Sequence, residues 1–343
     1  MIDFRYHLVS IIAVFLALAV GLVVGSTALS GKSEALLIKA QHELSRTNDT
    51  LTKDRQALIQ QVTADQAFTQ ANATRLIGGL LPGESAVLVV APGADSAVTD
   101  GVTHALTKAG AHVTGQVSLS GAFLDTSGPT ESTLTQLAQR LQSTANVTLP
   151  SQPDSPAVAG QQAAAAVLAT AIVTKSTSVT PSPSSRQFIL NSFSQQGFLS
   201  VSAANGGTTL GPASLAVLVV PAGPPTTGTA GINASEALVA VAHELGAASD
   251  GTVMAGGVSS IATNSPIDEE KSNLQVSTVD NADTMTGQIM VVQALRLRLD
   301  GKAPAQYGIQ PGAAPSPAPV PTPTAGANSK PSPKTTPSAG ARK

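Results

Sequence analysis

One uncharged apolar run near the start of the chain constrains everything that follows it. From Tyr6 to Gly31 there is no Asp, Glu, Lys or Arg. The centre of the run, Leu8 to Leu29, supplies the roughly 20 apolar residues a helix needs to cross a bilayer. No other segment of the sequence does so, and the chain therefore reads as a single-pass membrane protein. A cleaved signal peptide is the competing reading, because Ser26-Thr27-Ala28 offers small residues in the arrangement a signal peptidase prefers. Against it, the run exceeds the roughly 7 to 15 residues of a signal core, and the short leader holds Asp3 beside Arg5 instead of a clear positive charge. A retained anchor is the expectation.

Two patterns in and after this run predict that chains associate. Ala13, Ala17, Gly21 and Gly25 recur every fourth residue, forming a small-residue stripe that ends in Gly21-x-x-x-Gly25, the spacing that lets two membrane helices approach closely. Directly downstream, Leu37, Leu44, Leu51 and Leu58 stand at strict seven-residue intervals, as one seam of a coiled coil does. The second seam is poor: with those leucines at d, positions a hold Gln41, Asn48 and Arg55 before Val62. The pattern predicts a coiled-coil stalk over 32–78, either a parallel dimer helped by its anchor or one helix resting on the body or a partner.

The remainder bounds the function classes. The chain has 343 residues, leaving about 230 between stalk and tail, enough for one α/β domain with its own core. A net charge of −2 gives no electrostatic footprint for nucleic acid. The absence of cysteine removes disulfides, thiolate metal sites and cysteine catalysis. On orientation, Arg5 stands alone on the short side while Lys32, Lys39 and Arg46 follow the anchor within about 20 residues. A literal charge count places the body in the cytoplasm, although long domains translocate largely regardless of charge.

From residue 79 to 308 the sequence predicts a mostly parallel sheet flanked by helices. Ala86 to Val90 is continuously apolar, as in strands buried on both faces. Asp95 or Ser96 then caps a helix running to about Lys108, and His112 to Val117 begins the next strand. The same five residues recur at Ala216 to Val220, followed by a helix over about 234–245, short strands at Thr252 to Ala255 and Gln275 to Val279, and a helix from about Thr284 to Leu299. The repeated pentapeptide marks two related halves or two central strands of one sheet; the flanks do not align, which favours the second. The stretches 151–156 and 175–185 read as loops. The Pro/Ala-rich segment 309–343 reads as a disordered tail.

Motifs with chemistry are scarce. Gly31-Lys32-Ser33 imitates the end of a phosphate-binding loop, but Gly25 is one residue too far upstream and lies in the anchor. Gly257-Val258-Ser259-Ser260-Ile261 lacks the second glycine of a nucleophile elbow. His7, His42, His104, His112 and His243 show no metal-ligand spacing, and Met254, Met285 and Met290 sit where core packing would place them. The sequence points to no enzyme and makes no cofactor evident. Parallel-sheet logic places any site at the carboxyl ends of the strands: Pro92 to Asp95, Pro221 to Asn233, Gly256 to Ser260, and the run from Asp280. Asp280, Asn281 and Asp283 carry the most polar chemistry there, suited to a hard cation or polar ligand. The plainer account is a turn with Asp283 as helix N-cap.

The opening Ile2-Asp3-Phe4-Arg5-Tyr6-His7-Leu8-Val9-Ser10, the following Ala13 to Ala19, the stretch Gly21 to Ser26, the stalk, Ser277-Thr278-Val279-Asp280-Asn281 and Tyr307-Gly308 resemble the MctB-type copper-transport family of actinobacteria. The resemblance covers roughly residues 1 to 308. It implies an envelope protein linked to copper homeostasis or efflux, anchored in the cell membrane with its body outside the cytoplasm, against the literal charge count. Copper enters the reading only through this resemblance. The alternative is a non-enzymatic coiled-coil scaffold that recruits or regulates an envelope partner, such as a cell-wall hydrolase. If copper were bound by the body, His104, His112 and Met254 are the first side chains to consider.

Overall fold

A computed structural model describes residues 3–317 apart from 179, 225 and 259–261. The chain forms two compact units, Met1–Ala67 and Phe68–Lys343. The described residues of the first all lie in α1 (Asp3–Ile77). Its apolar part, Tyr6–Gly25, has a mean hydropathy of 2.9, and none of it is buried. Downstream, Thr47, Thr50, Thr52 and Thr63 each donate their hydroxyl to the carbonyl four residues back. Bonded in this way, they do not compete with the helix from outside it. Leu37, Leu44, Leu51 and Leu58 are 61–75% exposed, and beyond the helix's own backbone no atom of the described residues lies within 4 Å of where a Cβ on Gly21 or Gly25 would stand. A coiled coil needs a second helix, and in the single chain the seam and the stripe are open.

In the second unit the last turns of α1 belong to the body, because Ala73 and Ile77 are buried in its core beside Leu80 and Leu81. The helices that follow are α2 (Ser96–Lys108), α3 (Gly128–Ala145), α4 (Ala159–Ile172), α5 (Pro183–Gln195), α6 (Gly228–Ala248), α7 (Pro266–Glu270) and α8 (Met285–Leu299). The strands are β1 (Ser85–Val90), β2 (His112–Leu119), β3 (Leu199–Ala203), β4 (Leu215–Val219), β5 (Gly251–Ala255), β6 (Ser277–Val279) and β7 (Gln306–Tyr307). They form one sheet in the order β3-β2-β1-β4-β5-β6-β7. Every pairing is parallel except β2 with β3.

The central strands read as solid apolar runs because each face of the sheet has its own core. Val87 and Val89 of β1 and Leu218 of β4 join a layer made with α3, α4, α5 and α6. Leu88 and Val217 point the other way, toward the end of α1, α2 and α8. With both faces covered, the polar alternation of a half-exposed strand disappears. The two copies of the apolar pentapeptide lie in β1 and β4, neighbours in the sheet with Val87 opposite Ala216. They are two central strands, not the signature of two halves.

Four helices and two strands are present where the sequence suggested little: α3, α4, α5, α7, β3 and β7. The helix predicted over about 234–245 extends over the whole of α6, and the segment read as loop to residue 185 ends where α5 begins at Pro183. Gly115 marks a slip in the β1–β2 register between Ala86 and Val87. Its φ is +149°, and a Cβ there would lie 2.5 Å from the Ser202 carbonyl oxygen and 2.6 Å from Leu210 Cδ2. Only glycine fits that position. At the other end, the fold continues past 308: Tyr307 bridges to Ala314, and Gly308 N–H donates to the Ala314 carbonyl. The rest of the predicted tail, 318–343, lies outside the described residues.

Candidate functional site

The strand order reverses between β1 and β4, since the chain leaves β1 toward β2 on one side and arrives at β4 on the other. In an open α/β sheet, the connections leaving the strands on either side of such a point diverge and leave a crevice outside the carboxyl ends. Here the crevice is a cavity of about 570 Å³ whose walls include Pro92, Asp125, Thr126, Ser127, Thr226 and Asn233. Pro92 follows β1, residues 125–127 lie between β2 and α3, and Thr226 and Asn233 flank the start of α6.

Hydrogen bonds fix these walls. Asn233 Nδ2 donates to Thr126 Oγ1 at 3.1 Å, tying α6 to the β2–α3 connection. The Asp125 carboxylate accepts from Ser127 N–H at 2.9 Å and from Ser127 Oγ at 2.8 Å. The backbone bond from Ser127, followed by its hydroxyl, holds the Asp125 carboxyl below the ordinary value. Gln161, fully buried, donates to the Asp125 carbonyl at 3.0 Å. Ser127 and Thr227 stand at the N-caps of α3 and α6 without capping them by side-chain hydrogen bonds. The chemistry on offer is hydrogen bonding to a small polar group, with one carboxylate already committed.

The run from Asp280 sits at the carboxyl end of β6 and is used in three ways. Asp280, 1% exposed, accepts from Ile309 N–H and Gln310 N–H, both at 2.8 Å. The Asn281 carbonyl accepts from Thr284 N–H and from its hydroxyl, while its buried side-chain oxygen has no partner among the described residues. Asp283, exposed, accepts Val258 N–H at 3.0 Å and so holds the β5–β6 connection. The N-cap of α8 is Thr284, whose hydroxyl accepts from Gly287 N–H, one residue later than the Asp283 expected from sequence.

His104, His112 and Met254 are not brought together. Both histidines are exposed. Met254 is fully buried in the core on the α3–α6 face, whereas α2, which carries His104, packs on the opposite face. Met290 is buried and Met285 partly buried in that opposite core. Among the described residues, no group of three or more His, Cys, Asp or Glu is placed to hold a metal ion. The histidine that does lie among carboxylates is His243 on α6, with Asp154 on one ring nitrogen and Glu270 on the other. The two acids face opposite edges of the ring, so they do not converge on one ion. Its partners are 89 and 27 residues away along the chain, and no local spacing announces them.

Relatives of this chain are transport proteins by name. Copper transporter MctB of Mycobacterium tuberculosis (strain ATCC 25618 / H37Rv) is 29% identical over 324 residues, spanning 91% of this chain and 98% of its own length. Copper transporter MctB of Mycobacterium leprae (strain TN) is 29% identical over 326 residues, with the same coverage of each chain. The profile of the family described as Copper transport outer membrane protein, MctB, matches residues 1–317. On that match the chain belongs to the MctB copper-transport family.

Proposed function

We propose that the protein serves copper handling in the cell envelope as a non-enzymatic, single-pass component whose body stands outside the cytoplasm and whose chains act in association. Copper is its cargo, and the isolated body is not the site that grips it. The distribution of soft donors carries this reading. Tight copper sites favour thiolate, thioether or imidazole ligands; the chain has no cysteine, and Met254 and Met290 are packed into separate cores on the two faces of the sheet. The sheet is open, ending in β3 and β7, and helices cover it, unlike the closed lipid-facing barrel of an outer-membrane pore. One span per chain encloses no path, so any path for copper belongs to an assembly.

The test pairs a cell with a titration. Cells lacking the protein should accumulate copper and lose copper tolerance, and the full chain should restore both. In parallel, a chain from Phe68 to Pro317 should show no submicromolar copper site in competition with a chromogenic chelator. One site of that strength, about −8 kcal/mol or tighter, overturns the indirect role while leaving the cellular one intact. A normal copper level in the deletion strain, accompanied by defective cell separation, would favour the scaffold reading instead.

Orientation has its own measurement. An exported reporter fused at Pro317 should be active, and a reporter that works only in the cytoplasm should be silent. The reverse pattern sinks the placement of the body.

A further inference from the structure

His243 ties two segments, the α3–α4 connection and the end of α7, to its own helix α6, an arrangement that the copper reading leaves unexplained. Its side chain is 4% exposed. Its Nδ1 lies 2.7 Å from Asp154 Oδ2 in the α3–α4 connection, and its Nε2 lies 2.7 Å from Glu270 Oε2 at the end of α7. A neutral imidazole has one N–H and one lone pair, so it can donate to only one of two ionised carboxylates. With both carboxylates ionised, both contacts are hydrogen bonds only when the ring carries two protons.

The acids are themselves held in place. Glu270 is fully buried, and its other oxygen accepts Gln275 N–H at 2.8 Å and Val276 N–H at 3.0 Å, which fixes the connection from α7 to β6. Asp154 donates its own N–H to Gln162 Oε1 on α4 at 2.8 Å, and Gln162 Nε2 donates to Glu244 Oε1 at 3.0 Å. Asp154, Glu244 and Glu270 are thus the titratable groups facing His243, from the α3–α4 connection, α6 and α7; α4 contributes the neutral Gln162. Lys271, next to Glu270 in sequence, is paired with Asp268.

We propose that His243 is a pH-responsive clasp: as imidazolium it pins the α3–α4 connection and the α7–β6 connection onto α6, and as neutral imidazole it lets go of one of them. Burial is the largest single influence on the ring and opposes its charge, but the hydrogen bonds and charges of Glu270 and Asp154 together outweigh it and raise the pKa above the ordinary value. A raised folded-state pKa means the clasp contributes fully below the unfolded value, near about 6.5, and is lost as pH climbs through the higher folded value. Burial first, with Asp154 adding to it, also raises Glu244.

The experiment is amide hydrogen exchange on the full chain in detergent between about pH 6 and 9, corrected for intrinsic exchange. Protection over 151–158 and 266–276 should fall with rising pH, about tenfold for each unit by which the fold lifts the histidine, while β1 and β4 hold theirs. His243→Gln should show lower protection at pH 6 and no pH dependence in those segments. Asp154→Asn removes one of the two anions from a partly exposed position and should move the midpoint down by about one unit. That variant decides the matter if His243→Gln does not fold. Flat exchange in the native chain, or an unchanged midpoint in Asp154→Asn, overturns the proposal.

Discussion

Replacing Gly21 and Gly25 with Ile, together with Leu44 and Leu51 with Lys, should abolish crosslinking between chains in membranes. The four positions act on one helix but through different physics. In the span, Gly21 and Gly25 leave the helix surface open. Close backbone approach there gains dispersion contact, which a branched side chain removes by holding the helices apart. In the stalk, Leu44 and Leu51 are 75% and 61% exposed in the single chain. Burying each in a seam contributes about 1.5 to 3 kcal/mol, whereas lysine at d places a charge where the partner's leucine should pack. With Gln41, Asn48 and Arg55 at a, the seam has little reserve, so losing two leucines exceeds what is left. Either pair of changes alone should weaken crosslinking partially. If association is needed for copper handling, the quadruple variant should also fail to restore copper tolerance to the deletion strain. Undiminished crosslinking would put the contact in the α/β body.

The parts of the fold that were legible are those whose burial leaves a simple trace. β1 from Ala86 onward and β4 are apolar at every position because both faces are covered, and Tyr6–Gly25 is long and apolar enough to cross a membrane. α4 left no such trace. Its Ala-rich sequence shows no polar stripe, since most of its residues are buried, and the 3.6-residue period that marks an amphipathic helix is absent. α5 hides behind a Ser/Pro run that reads as loop. Yet Ser182 accepts from Ser185 N–H as N-cap with Pro183 at the first position, and that start signal was readable. β3 does alternate, with Ser200 and Ser202 exposed and Leu199 and Ala203 buried, but five residues are too few to separate a strand from a turn. The polar run at 280–283 was visible as chemistry, while its use was not, because the groups that claim Asp280 come from 29 and 30 residues downstream. His243 was invisible for the same reason.

Asp280→Ala should cost roughly 2 to 5 kcal/mol of stability and free the segment after Lys302. The carboxylate is enclosed and receives two N–H groups at 2.8 Å, from Ile309 and Gln310; its own N–H donates to the Tyr307 carbonyl. Hydrogen bonds to a charged acceptor contribute about 1.5 to 3 kcal/mol each, and removing the acceptor leaves buried donors unpaired. Asn at the same position should recover little, because its amide presents one oxygen and one NH2 group, itself a donor, to two donors. Gly308 belongs to the same contact: at φ +130° it sits against the Asp280 carboxyl group, so a Cβ there would displace the acid. Gly308→Ala should therefore reproduce part of the loss without touching a charge. For a domain of this size the expected fall in Tm is about 5 to 15 °C, with new proteolytic cleavage between 303 and 317 as the local readout. An unchanged Tm together with intact protection of that segment would mean the carboxylate is not committed to the backbone of Ile309 and Gln310. Asp280 would then be available, with Asn281 and Asp283, to hold a cation at the carboxyl end of the sheet.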